Sequence, residues 1–141
     1  MRKISVSLGV ALCALAAAAV SAGCSSSVNV GSEPYAVLAP SVFAEDSAGW
    51  EGVVASLQAR HGAEVLRFDG TPTELEAQLK ALSPRYVAVV DVPENIGRDY
   101  VIALNQMSRR MDDDPYADFL WGIITGYDAA GAMRMVDDSQ E

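Results

Sequence analysis

The run RYVAVVDVP at residues 85–93 places the tightest limit on what this chain can fold into. It is continuous, valine-rich and has no polar alternation, so as a strand it must be covered on both faces, as in a parallel sheet with helices on either side. The rest of the sequence supplies those helices. YAVLAP at 35–40 is a second short apolar run, stopped by proline, and reads as a buried strand. Trp50, Val53, Val54 and Leu57 then fall at i, i+3, i+4 and i+7, and Gly62 stands where a helix C-cap glycine belongs.

A second unit follows. AEVLRFDG at 63–70 reads as strand and TPTELEAQLKALSP as helix: Thr71 caps, Pro72 takes the first position, Glu74 reaches back to close a capping box, and Leu75, Leu79 and Leu82 line one face before Pro84 stops it. Beyond 85–93, helical spacing returns at Val101, Leu104, Ser108 and Met111, with Asp99 near the start and Arg109 and Arg110 near the end to complement the helix dipole.

The acidic stretch DDDPYADFLWGIITGYD at 112–128 closes the pattern. Asp114 before Pro115 predicts a cap on a new short helical turn with Asp112 and Asp113 solvated, FLWGIIT at 119–125 predicts a fourth strand, and Asp128 predicts a cap on a last helix with Ala129, Met133 and Val136 on its apolar face. Four β-α pairs in series predict one doubly wound, three-layer α/β domain over 34–141 with a mostly parallel sheet of about four strands.

The first two dozen residues have a different character. Arg2 and Lys3 precede an apolar run from Ile4 to Val20, and small residues lead to Cys24, the layout of an export signal. The run is shorter than the roughly 20 apolar residues a bilayer span requires. SAGC at 21–24 resembles the lipobox of bacterial lipoproteins, with Ser21 where leucine or valine is usual. That resemblance implies cleavage after residue 23, acylation of Cys24, and a membrane-anchored protein facing the periplasm or the cell exterior; ordinary cleavage with a free Cys24 is the alternative. SSSVNVGSE at 25–33 then reads as a flexible tether.

Removing residues 1–23 leaves 118 residues, enough for one domain. Cys24 is then the only cysteine, so no internal disulfide and no thiolate for catalysis or zinc is expected. With Arg2 and Lys3 gone, 8 basic residues face 19 acidic ones, a net charge of −11. Such a field excludes nucleic acid as the expected partner, because phosphate binding needs clustered Lys and Arg.

Known motifs for phosphate-binding loops, dinucleotide turns and hydrolase elbows are missing from the sequence. An EF-hand loop counted from Asp112 would need Gly and Glu where Ala117 and Ile123 stand. No metal and no cofactor are therefore expected, although hard cations accept looser carboxylate sets. His61, the sole histidine, lies at a helix end with no evident partner and reads as solvated or dipole-stabilised. In open α/β sheets ligands bind outside the carboxyl ends of the strands, which points to Asp69, Asp91 and Thr125. A candidate ligand edge is drawn from these three with the acidic loop residues Asp112, Asp113 and Asp118 and with Tyr127, against the plainer reading that each caps a helix or a loop.

The block from Arg85 to Met135, carried by the VAVV strand, DDDPYAD and WGIITGYD, resembles a segment of bacterial extracytoplasmic proteins related to gingipain-type cysteine peptidases of the caspase-like clan. The resemblance implies a Rossmann-like fold. No position matches that family's catalytic histidine or cysteine, so none is carried over. Two readings stay open: a noncatalytic lipid-anchored domain that binds a ligand or a protein partner, and part of a cysteine peptidase whose His/Cys dyad lies outside this chain. A carboxylate-only enzyme such as a glycoside hydrolase is a third.

Overall fold

The computed structural model describes residues 33–45 and 49–138. The residues expected to form the export signal, Cys24 and nearly all of the expected tether lie outside them. Four strands, β1 (Tyr35–Pro40), β2 (Glu64–Phe68), β3 (Tyr86–Val90) and β4 (Leu120–Ile124), alternate with four helices, α1 (Trp50–His61), α2 (Glu76–Leu82), α3 (Arg98–Met107) and α4 (Ala129–Asp138). All pairings are parallel and the sheet order is β2-β1-β3-β4.

The valine run does what its composition demands. Val87 and Val89 enter one core with Ala36, Leu38, Leu66, Leu75, Leu79, Leu104 and Met107, while Ala88 and Val90 enter the other with Val37, Val54, Leu57, Ala132 and Val136. Strand order and handedness explain which helix covers which face. The chain steps one way from β1 to β2 and the opposite way from β2 to β3 to β4, so right-handed crossovers put α1 on one face and α2 and α3 on the other. Helix α4 joins the α1 layer.

Local signals act as the sequence specifies. Gly62 adopts φ 60° and ends α1, with the Ala63 amide donating to Gln58 O at 3.2 Å. Thr71 N–H donates to Glu74 Oε1 at 3.0 Å, the Glu half of the capping box, although the turn it opens at Pro72–Leu75 is 3-10 before the chain settles into α2. Asp128 Oδ1 accepts the Gly131 amide at 2.7 Å and caps α4.

Two local expectations are corrected. Val101 is 39% exposed, and the buried side of α3 is Leu104, Met107 and Ser108, with Tyr100 and Met111 packed against the same core. Leu104, Ser108 and Met111 lie on the buried side as expected, and only the first position differs: Tyr100, whose hydroxyl reaches Asp91, faces inward in place of Val101. No helical turn forms at 114–116 either. Asp112 Oδ1 accepts the Asp114 amide at 2.9 Å and Asp114 Oδ1 accepts the Tyr116 amide at 2.7 Å, so the two carboxylates make local side-chain turns that compete with a helix.

Candidate functional site

In a parallel sheet every strand runs from an amino edge to a carboxyl edge, and every helix returns the chain to the amino edge. That rule divides the sequence-derived ligand edge in two. Asp69, Asp91, Thr125 and Tyr127 follow β2, β3 and β4 and lie at the carboxyl edge. Asp112, Asp113 and Asp118 lie between α3 and β4, hence at the amino edge on the far side of the sheet. There Asp118 Oδ2 accepts the Met111 amide at 3.1 Å, and Asp112 and Asp118 line a cavity of about 200 Å3 with Lys80 and Ser83. Grouping all seven in one site is therefore a correction: sequence proximity to Thr125 and Tyr127 does not carry the acidic loop across the length of β4.

Asp91 is the organiser of the carboxyl edge. It is 1% exposed, and its Oδ1 accepts the Val92 amide at 2.8 Å and Asn95 Nδ2 at 2.9 Å while Oδ2 accepts the Tyr100 hydroxyl at 2.8 Å. Three donors hold a buried carboxylate that would otherwise be costly to desolvate. The same bonds fix the loop from β3 into α3. Burial, and then the hydrogen bond and negative charge of Asp91, push the Tyr100 phenol far above its ordinary range, so it stays a neutral donor. Thr125 follows the β4 residue whose carbonyl accepts the Asp91 amide, and its hydroxyl oxygen is buried without a hydrogen-bond partner. Asp69 and Tyr127 are exposed, Tyr127 fully.

The order β2-β1-β3-β4 reverses direction between β1 and β3, and a crevice outside the strand ends is expected at that point. On the α1 face Arg67 of β2 pairs with Glu51 of α1, its Nη2 meeting both carboxylate oxygens at 2.7 and 2.8 Å. A cavity of about 320 Å3 lies between the loop after β2 and the start of α3, with Leu104 and Pro72 as apolar floor and Thr71, Thr73, Asn95 and Tyr100 as polar walls. This is within the size range of small-molecule sites. Tyr100 and Asn95 thus serve Asp91 and the cavity at once.

Sequence reasoning identified Asp91 but missed Asn95, Asp99, Tyr100, Thr71 and Thr73 as wall residues. The usable signal was an Asp closing a buried strand with Asn four residues on and a tyrosine on the next helix's first turn, three groups able to meet only if the loop folds back. His61 stands at the opposite edge. Its ring stacks on Tyr35 with centroids 4.3 Å apart, and burial followed by the Arg60 charge lowers its pKa. Among the described residues no group of three or more His, Cys, Asp or Glu side chains is placed to hold a metal ion. The chain matches no protein-family model, no curated protein and no solved structure.

Proposed function

We propose that this chain is a lipid-anchored extracytoplasmic domain that binds a small ligand in the crevice at the carboxyl edge and, alone, catalyses no reaction. One observation carries the binding reading: a cavity of about 320 Å3 opens at the carboxyl edge between the chain that follows β2 and the loop and helix that follow β3, and the buried Asp91, holding three donors, fixes its Asn95 and Tyr100 wall. The noncatalytic reading rests on position. The sole histidine stacks on Tyr35 at the far edge, with the sheet between it and the crevice. Anchoring rests on the SAGC stretch at 21–24.

The second reading, part of a gingipain-type peptidase, draws on β4. Its Leu120 is 60% exposed and its outer side pairs with no strand among the described residues, so the sheet has room for another parallel strand.

Membrane fractionation of the full chain and Cys24→Ala tests the anchor, and hydrogen exchange at 71–73 and 95–104 during a small-molecule screen tests the crevice. A Cys24→Ala protein that stays membrane-bound and unprocessed like the parent overturns the lipid anchor. Ligand protection confined to the amino edge overturns the crevice.

A further inference from the structure

The inventory of uncommitted polar atoms around the crevice narrows what it can hold. Asn95 already spends one N–H on Asp91, and Tyr100 spends its only hydrogen there. Thr71 Oγ1 and Thr73 Oγ1 lie 2.7 Å apart, so one of their two hydroxyl hydrogens is used between them. What remains is two donors, the second Asn95 N–H and one threonine hydroxyl hydrogen, against a larger set of acceptors: the Asn95 carbonyl, the Tyr100 oxygen lone pairs, the threonine oxygens, and the carboxylate of Asp99, which makes no ion pair among the described residues. Asp99 is the only charged group on the wall, and neither Lys, Arg nor His lines it. Leu104, Ala103 and Pro72 give an apolar floor.

Resting on the crevice reading above, we infer that the ligand is a small organic ammonium compound with an apolar skeleton, its N–H groups on Asp99 and Asn95 and its skeleton against Leu104. An anion would meet a carboxylate and no cation. A purely apolar molecule would use the floor alone and gain nothing from Asp99 or the other wall acceptors, which lie on exposed or half-buried residues. The acidity of the whole chain, with net charge −9, works in the same direction by raising the local concentration of cations.

The alternative role for Asp99 is to offset the positive end of α3, in whose first turn it lies. The two roles separate in one experiment. The full chain is titrated by calorimetry with three compounds that share a phenol ring and differ in charge: tyramine, the neutral alcohol tyrosol, and 4-hydroxyphenylacetate. Tyramine should bind at least about tenfold more tightly than either of the others, as one charge-assisted hydrogen bond implies. Asp99→Asn should remove that preference, bringing tyramine affinity down to that of tyrosol. Tyrosol or the anion binding as well as tyramine, with protection at Thr71 and Tyr100, overturns the ammonium class while the crevice stands. Tyramine preference that survives Asp99→Asn shows that Asp99 serves only the helix. No binding of any of the three, or protection away from the crevice, overturns both.

Discussion

The Tyr100 hydroxyl donates to Asp91 Oδ2 at 2.8 Å and so ties the first turn of α3 to the carboxyl end of the central strand β3. Because the acceptor is a buried carboxylate, this bond is of the charge-assisted kind, worth about 1.5–3 kcal/mol. Tyr100→Phe keeps the ring in the core and removes only the hydroxyl. Urea denaturation should show a loss in that range, and a loss below about 0.5 kcal/mol means Asp91 finds another donor.

The same pair predicts a pH dependence. The Tyr100 pKa is raised in the folded state, so the unfolded chain gives up its phenol proton first as pH rises. Stability from this group is complete below about pH 10 and falls above it, at no more than about 1.4 kcal/mol per pH unit and less for a partly exposed ring. Tyr35, raised by burial, adds in the same direction. Denaturation midpoints measured between pH 9 and pH 11, a window around the ordinary tyrosine pKa of about 10, should fall more steeply for the parent than for Tyr100→Phe. Parallel curves refute the linkage.

Gly126 and Gly97 give a contrast in backbone space. A Cβ on Gly126 would sit 2.5 Å from the Ala132 amide nitrogen and 2.9 Å from Asp128 O, both main-chain atoms at the start of α4. Neither can move without breaking the Asp128 cap. Gly126→Ala should cost more than about 2 kcal/mol by forcing that turn apart, whereas Gly97, with nothing within 4 Å and φ −102°, should accept alanine at under about 0.5 kcal/mol. Thermal melts of both variants decide it.

How much of this was legible in the sequence follows from the range of each interaction. Strands, helices and the parallel sheet rest on period and on local caps at Gly62, Thr71 and Asp128, so residues 34–138 could be read in order. Which residue opens the buried side of α3, Tyr100 or Val101, depends on the bond from Tyr100 to Asp91, nine residues away across a loop. The site was legible at Asp91 alone, because a carboxylate closing a valine strand is conspicuous. Its partners Asn95 and Tyr100, and the threonines across the crevice, meet only through tertiary folding. The acidic loop misled for a related reason: it is adjacent to β4 in sequence but enters that strand from the opposite edge.

The aspartates should differ in energetic weight. Asp128 satisfies an amide of α4 that would have no helical acceptor, and Asp128→Ala should cost about 0.5–2 kcal/mol. Asp112 and Asp114 each bond one amide in an exposed loop where water is an equal partner, so alanine at either should cost under about 0.5 kcal/mol. Equal losses at all three positions, or a calcium-dependent rise in stability abolished by Asp112→Ala, would restore weight to the acidic loop.

His61 supplies the acid-side counterpart of Tyr100. Its ring lies flat against Tyr35, 5° from parallel, and burial with the neighbouring Arg60 charge lowers its pKa from the ordinary value near 6.5. For a base depressed in the folded state, the unfolded chain takes up the proton first as pH falls. The contribution is therefore present above about pH 6.5 and is lost as pH drops through the folded pKa. Carboxylates also titrate on the acid side, so the parent curve alone cannot isolate the effect. His61→Gln removes the titrating ring and leaves those carboxylates in place, and the difference between the two curves reports His61. The stability gap between parent and His61→Gln, read from urea midpoints, should narrow from pH 8 to pH 5.5. A constant gap means the ring protonates equally in both states and the stack on Tyr35 favours neither form. A gap that widens reverses the sign and makes the stacked imidazolium the stabilised species, as a cation over the Tyr35 face.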